Sequence, residues 1–214
     1  MRSFASLRSR MLARTMRRIR NVIKTIRERW ATRSVGAREK LWDKEYGSGF
    51  AEQLRLPEAL EHNHTLVEFL VSAKKNKRIL DVGCGEGLIL EALEKWGYES
   101  YVGMDFSEVA LRIASKQANA KTVFVHAVAE SFVPDGEFDA IIFNECLYYL
   151  REPLRVVRHY EKFLSAGGVM AVSLFTKTER VKRLGEEIEK EFRVTRRATV
   201  RNGTGTWECY LVER

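Results

Sequence analysis

The 214-residue chain is 45% hydrophobic and has only three prolines, which excludes a disordered chain and fits one domain with a full core plus a modest extension. Its net charge of +8 is unevenly placed. Residues 1–38 carry twelve Lys or Arg against one acid, Glu28, for +11, leaving 25 bases and 28 acids, or −3, in the main body. That acidic balance argues against a nucleic-acid-binding face. Cys84, Cys146 and Cys209 are widely spaced with no C-x-x-C pair, so neither a disulfide framework nor a metal site is expected, and a reducing, cytoplasmic setting is. No apolar run approaches the roughly 20 residues of a membrane span, and arginines interrupt every apolar stretch where a signal peptide would have its core.

In chain order, the first predicted element is a long helix over residues 4–30. Leu12, Met16, Ile19, Ile23, Ile26 and Trp30 form a stripe at alternating steps of four and three, with the arginines mostly off it. Residues 32–36 break the pattern and read as a linker. A short aromatic helix with Leu41, Trp42 and Tyr46 follows, then a helix over about 57–73. From residue 78 strands and helices alternate, with strands at 78–82, 100–104, 122–126, 138–143 and 168–175. Helices fall at 87–96, 107–117, 153–164 and 178–190. This alternation implies an α/β fold with parallel strands. The chain closes with two strands, 192–201 and 206–213, around the turn signal Asn202-Gly203-Thr204-Gly205. Two parts result: a basic extension, 1–38, and a main domain, 39–214, whose helices within 39–76 precede the sheet.

The strand Arg78-Ile79-Leu80-Asp81-Val82 runs into Gly83-Cys84-Gly85-Glu86-Gly87 and then a helix. Glycines let backbone approach a ligand closely at a helix N-terminus, which makes this a nucleotide-cofactor cradle. The next strand ends in Asp105, 22 residues after Gly83, where a carboxylate can accept both hydrogen bonds of an adenosine ribose. Dinucleotide-binding proteins would place an acid there too, so Asp105 points to adenosine without naming the cofactor. Ser107 is the better reading for the N-cap of the following helix.

The run D-V-G-C-G-E-G resembles motif I of the class I S-adenosylmethionine-dependent methyltransferases, and the later segments match in order and spacing over about residues 39–214. The resemblance implies a Rossmann-like, seven-stranded, mostly parallel sheet of order 3-2-1-4-5-7-6 with the last strand antiparallel. It implies S-adenosylmethionine as cofactor. Gly83, Cys84, Gly85 and Gly87 would shape the loop around its methionine and ribose, with Asp81 near the methionine amino group through water or loop backbone, and Asp105 and Phe106 at the ribose. Val128 departs from the family's usual acid, so adenine would rest on backbone near Val128 and Ala129. Glu130 is either a contact or a solvated charge.

The apolar strand ending at Asn144-Glu145 continues into Cys-Leu-Tyr148-Tyr149, similar to the N-E-V-L-E-H-V segment of small-molecule methyltransferases and unlike the N-P-P-Y of nucleic-acid enzymes. Asn144 would face the cofactor. Glu145, Tyr148, Tyr149 and the histidines His62 and His64 are candidates for the acceptor side, where a base matters if the nucleophile must lose a proton; wall packing is the alternative for the tyrosines. His126 and His159 read as structural. Trp42 and Tyr46 resemble a W-x-x-x-Y element that lids the cofactor, or they pack a helix on the domain.

The expected activity is methyl transfer to oxygen or nitrogen of a small-molecule acceptor, lipid-linked or membrane-delivered in one version. The rivals are an RNA or protein methyltransferase docking through the basic arm, and a non-catalytic assembly subunit, against which the intact loop and Asp105 argue. For residues 4–30 three readings stay open: an anionic membrane surface, a helix-mediated oligomer and a mitochondrial targeting segment.

Overall fold

The computed structural model describes residues 34–48, 54–75 and 77–214. The expected helix over residues 4–30 lies outside them.

Two helices precede the sheet: α1 (Val35–Gly47) and α2 (Pro57–Ser72). The alternating body comprises β1 (Arg78–Val82), α3 (Leu88–Leu93), β2 (Ser100–Asp105), α4 (Glu108–Ala114), β3 (Thr122–His126), β4 (Phe138–Asn144), α5 (Pro153–Glu161) and β5 (Leu164–Phe175). It closes with α6 (Glu179–Glu191), β6 (Arg193–Arg201) and β7 (Thr206–Glu213). The strands form one seven-stranded sheet of order 3-2-1-4-5-7-6. β1 to β5 pair in parallel, and β7 runs antiparallel to both β5 and β6.

Successive strand residues point to opposite faces, and the core divides accordingly. Ile79, Ala140 and Ile142 face Leu66 and Leu70 of α2 and Ile89 and Leu93 of α3. Leu80, Val82, Ile141 and Phe143 face Val157 and Tyr160 of α5 and Leu184 and Ile188 of α6. Val181, Leu184 and Ile188 recur at helical spacing, so α6 buries one stripe while its charges stay out. Each such aliphatic side chain contributes roughly 1.5–3 kcal/mol on burial.

Several boundaries depart from those expected, α5 ending at Glu161 rather than 164 among them. α1 begins at Val35, inside the expected linker, because its buried Arg38 and Trp42 draw that turn onto the domain. α3 stops at Leu93. The helix after β2 ends at Ala114 and tightens into a 3-10 turn, Ser115–Gln117. β5 starts at Leu164, and Gly167-Gly168 sits inside it. The register slips there from Phe138↔Leu164 to Ala140↔Val169, and Gly167 adopts φ +67°. A β-carbon on Gly168 would lie 3.0 Å from the carbonyl oxygens of Phe138 and Ser165, so these glycines make a bulge rather than a preceding turn.

The terminal hairpin is as expected and docks on α2. Asn202 donates from Nδ2 to the Glu58 carbonyl at 2.7 Å and to Glu61 at 2.7 Å. At Gly205 a β-carbon would fall 2.0 Å from the Phe175 ring. Gly205→Ala is therefore expected to displace that ring and lower stability by about 1–3 kcal/mol, the usual cost of overpacking, read by thermal unfolding.

Candidate active site

Parallel sheets of this kind bind ligands beyond the carboxyl ends of their strands, near the reversal of strand order, which here lies between β1 and β4. A cavity of about 200 Å³ opens there. One half is built from the ends of β1 and β2 and the loop after β3: Gly83, Cys84, Gly85, Glu86, Asp105, Phe106, Val128 and Ala129. Its other half comes from the ends of β4, β5 and the start of β7, with α2 above: Asn144, Glu145, Tyr148, Phe175, Trp207, His62 and Asn63. α1 roofs both halves with Arg38, Trp42 and Tyr46.

The glycine loop is as close-fitting as its sequence implies. Gly83 and Gly85 adopt φ +73° and +53°. β-Carbons there would lie 2.8 Å from Cys146 Cβ and 2.7 Å from the Tyr46 hydroxyl. Asp105 holds the loop open: Oδ2 accepts from Gly85 N and Oδ1 from Ser107 N, both at 2.9 Å. The Phe106 N–H also bonds this carboxylate, and the lone pair left over can serve a ligand. Ser107 caps α4, its hydroxyl accepting from Ala110 N at 3.1 Å.

Three of the expected residues stand elsewhere. Asp81 is fully buried behind the loop and does not line the cavity; its Oδ2 accepts from the Tyr101 hydroxyl at 2.6 Å. Gly87 also lies off the cavity, turning the chain into α3 at φ +84° against Ala114. His64 is exposed on α2 and outside the cavity, because residues two apart on a helix point to nearly opposite sides. His62 faces in and stacks on Trp207, centroids 5.0 Å apart and planes 5° from parallel. Asn144 lines the cavity, but its side chain is engaged by protein: Nδ2 donates to Asn63 at 2.9 Å and Oδ1 accepts from Ser173 at 2.6 Å. His159 bonds the Phe132 carbonyl and His126 the Phe106 carbonyl, His126 being half exposed beside Glu39 and Glu108.

The remaining expected residues meet in the cavity. Glu145 adopts φ +59°, a left-handed conformation costing a side-chain-bearing residue roughly 1–2 kcal/mol. Its backbone N–H is fixed by the Ser173 hydroxyl at 3.0 Å, and its Oε2 accepts from Tyr148 at 3.0 Å. Tyr149 packs on Tyr148 and meets Trp42 edge-on at 5.3 Å, joining the end of β4 to the roof.

Several residues were not singled out from sequence. Asp43 of α1 accepts from the Ser107 hydroxyl at 2.6 Å and from Val109 N at 3.3 Å, and Arg38 donates to Glu130 at 3.1 Å. Both tie the roof down, and Glu130 is a partner rather than a solvated charge. Glu86, 2% exposed, is held by Arg55, which also pairs with Glu91. Phe175 and Trp207, centroids 4.9 Å apart, close the far wall. In sequence these resemble ordinary surface charges and strand aromatics, and only the pairing of β5 with β7 brings the two rings together.

Burial dominates the electrostatics. It pushes the carboxyls of Asp81, Glu86 and Glu145 up to about 7 and Asp105 up to about 6, and pushes His62 down to about 3. At acid pH these carboxyls are protonated in folded and unfolded chains alike. As pH rises past about 4 to 4.5 they ionise first in the unfolded chain, so their contribution to stability is lost as pH climbs through 6 to 7. The ligand-free protein is expected to melt at lower temperature at pH 8 than at pH 5, read by calorimetry across that range.

Fold and cavity together define an α/β protein with a glycine loop and a buried carboxylate at the ends of β1 and β2, the arrangement of a nucleotide-type cofactor cradle. The chain belongs to the family described as a methyltransferase domain, which matches residues 50–203. It is 31% identical over 110 residues to the ubiquinone biosynthesis O-methyltransferase of Dinoroseobacter shibae, covering 50% of this chain and 44% of that one. It is 32% identical over 117 residues to the malonyl-[acyl-carrier protein] O-methyltransferase of Bacillus cereus, covering 52% and 44%. The chain thus spans about half the length of the curated relatives it matches. The fold is shared with the N-methyltransferase NodS of Bradyrhizobium japonicum WM9, solved with S-adenosyl-L-homocysteine, at a TM-score of 0.71 and 17% identity over 82% of this chain and 97% of that one.

Proposed function

We propose that the chain transfers a methyl group from S-adenosylmethionine to oxygen or nitrogen of a small molecule. The observation that carries this reading is the charge of the cavity. Among the described residues its wall holds the carboxyls of Glu86, Asp105, Glu130 and Glu145 and one cation, Arg38, which is turned to Glu130. A cofactor with a sulfonium and an ammonium group suits that wall. Among the described residues the loop offers a dinucleotide's pyrophosphate no cation, its one acid, Glu86, already being paired with Arg55.

The residues fit the group. Asp105 is set to accept the ribose hydroxyls, Phe106, Val128 and Ala129 offer an apolar slot for adenine, and the bare backbone of Gly83 and Gly85 admits the methionine part. Once bound, S-adenosylmethionine supplies a methyl already activated by its sulfonium. The protein then has to align an acceptor and exclude water. Tyr46, Trp42 and Tyr149 cover the cavity, and Glu145 stands ready to take a proton from the acceptor. The names of the curated relatives, both O-methyltransferases, support oxygen as the receiving atom. The test is native mass spectrometry of the purified chain, followed by acceptor screening with methyl-labelled cofactor. Co-purified S-adenosylmethionine or its demethylated product, and label moved to a small molecule, are the expected results.

We further propose a peripheral cytoplasmic location, with residues 1–38 docking on an anionic membrane to deliver an acceptor to residues 39–214. The +10 charge of residues 1–33, which leaves out the Arg38 held by Glu130, and the apolar stripe support it. The full chain is expected to co-sediment with anionic vesicles at low salt and much less at high salt, and a chain starting near Gly36 is not. A helix that ignores vesicles but sets a dimer would replace this reading.

A further inference from the structure

Resting on the methyltransferase reading, the cavity's second half also describes its acceptor. Among the described residues four buried polar atoms there have no hydrogen-bond partner: Glu145 Oε1, an acceptor, Trp207 Nε1 and Asn63 Nδ2, which can only donate, and His62 Nδ1. The indole faces the carboxylate closely enough to help hold its proton affinity down, yet no hydrogen bond closes between them. Each atom carries an unmet hydrogen bond until a ligand or a small side-chain rotation supplies it.

The surroundings are aromatic. Trp207 is stacked by His62 at 5.0 Å and meets Phe175, tilted, at 4.9 Å, while Tyr148 donates to the other oxygen of Glu145. His62 is held neutral by burial. Among the described residues no Lys or Arg lines this half of the cavity, Arg38 lying at the roof against Glu130. An acceptor bearing a free carboxylate or phosphate would set its charge against Glu145 with nothing to balance it.

We propose that Glu145 and Trp207 are a specificity pair for an uncharged, ring-shaped acceptor that presents a hydroxyl donor beside a hydrogen-bond acceptor, and that they reject carboxylates. A vicinal diphenol matches both atoms: one hydroxyl donates to Glu145 Oε1 and its neighbour accepts from Trp207 Nε1. Of the two relatives compared, this sets the chain apart from the one whose name specifies a malonyl group.

The test is calorimetric binding of catechol and of benzoate to the full chain at pH 8, with S-adenosylhomocysteine saturating. Catechol is expected to bind at least about tenfold tighter than benzoate, the scale of one hydrogen bond to a charged group. Trp207→Phe should weaken catechol by about tenfold. Glu145→Gln, which removes the charge at constant shape and adds a donor, should weaken catechol and strengthen benzoate, so the preference narrows or inverts. Benzoate binding as well as catechol, binding of neither, or a preference untouched by Glu145→Gln would each overturn the proposal. With S-adenosylhomocysteine bound normally, those results remove only the acceptor assignment. Failure of S-adenosylhomocysteine itself to bind removes the methyltransferase reading and this one with it.

Discussion

Glu145→Gln is expected to lower turnover by about two to four orders of magnitude, the usual contribution of a positioned general base, while leaving S-adenosylhomocysteine affinity nearly unchanged. The split follows from position. Glu145 lies at the end of β4, on the side of the cavity facing β5 and β7, whereas Asp105 and the glycine loop lie at β1 and β2. Glutamine keeps the shape and can still accept from Tyr148, but it cannot take a proton. The pH profile is a second readout. Burial raises the Glu145 carboxyl to about 7, opposed by the Tyr148 hydroxyl and the Trp207 indole. His62 on α2 is neutral throughout that range, and the nearby thiols of Cys146 and Cys209 are pushed up. The active form is the deprotonated one, so kcat/KM should rise with pH to a plateau above about 7, and the variant's profile should lose that step. A variant that binds cofactor poorly while folding normally would mean that the acceptor has been put on the wrong side.

The strands, the helices and most of their boundaries were legible because the signals are local, whereas the strand order followed from the family resemblance alone. Continuous apolar runs such as Ala140-Ile141-Ile142-Phe143 are what a strand buried on both faces requires, and the G-x-G-x-G turn fixes where the first crossover begins. The errors arose where tertiary contact outweighs local pattern. A linker became the first turn of α1 because Arg38 found Glu130 across 92 residues. Gly167-Gly168 became a bulge because Phe138 runs alongside. His62 and His64 were equal candidates until the rotation of α2 placed one against Trp207 and the other in solvent.

The cofactor half of the site was more readable than the acceptor half for a related reason. Gly83, Gly85 and Asp105 are constrained by backbone geometry that their neighbours in sequence reveal. The acceptor half is assembled from four separate elements, and Trp207, 62 residues beyond Glu145, has no signature that distinguishes it from a core aromatic. Even Glu145 is legible only as a polar residue after an apolar strand; its left-handed backbone and unmet oxygen appear only in the fold.

The most direct test is one titration: S-adenosylhomocysteine into the full chain and into Asp105→Ala, followed by calorimetry. In the folded protein Asp105 is buried with one lone pair on each oxygen already committed to Gly85 N and Ser107 N. The Phe106 N–H also bonds the carboxylate, and the acceptor capacity that remains is for the cis-diol, at about 1.5–3 kcal/mol for a bond to a charged group. The wild-type chain should bind with 1:1 stoichiometry, NAD should not compete, and Asp105→Ala should lose at least about tenfold in affinity while keeping a cooperative melt. Unchanged affinity in the variant, or tight binding of NAD by the wild type, would contradict the assignment of this cavity to S-adenosylmethionine.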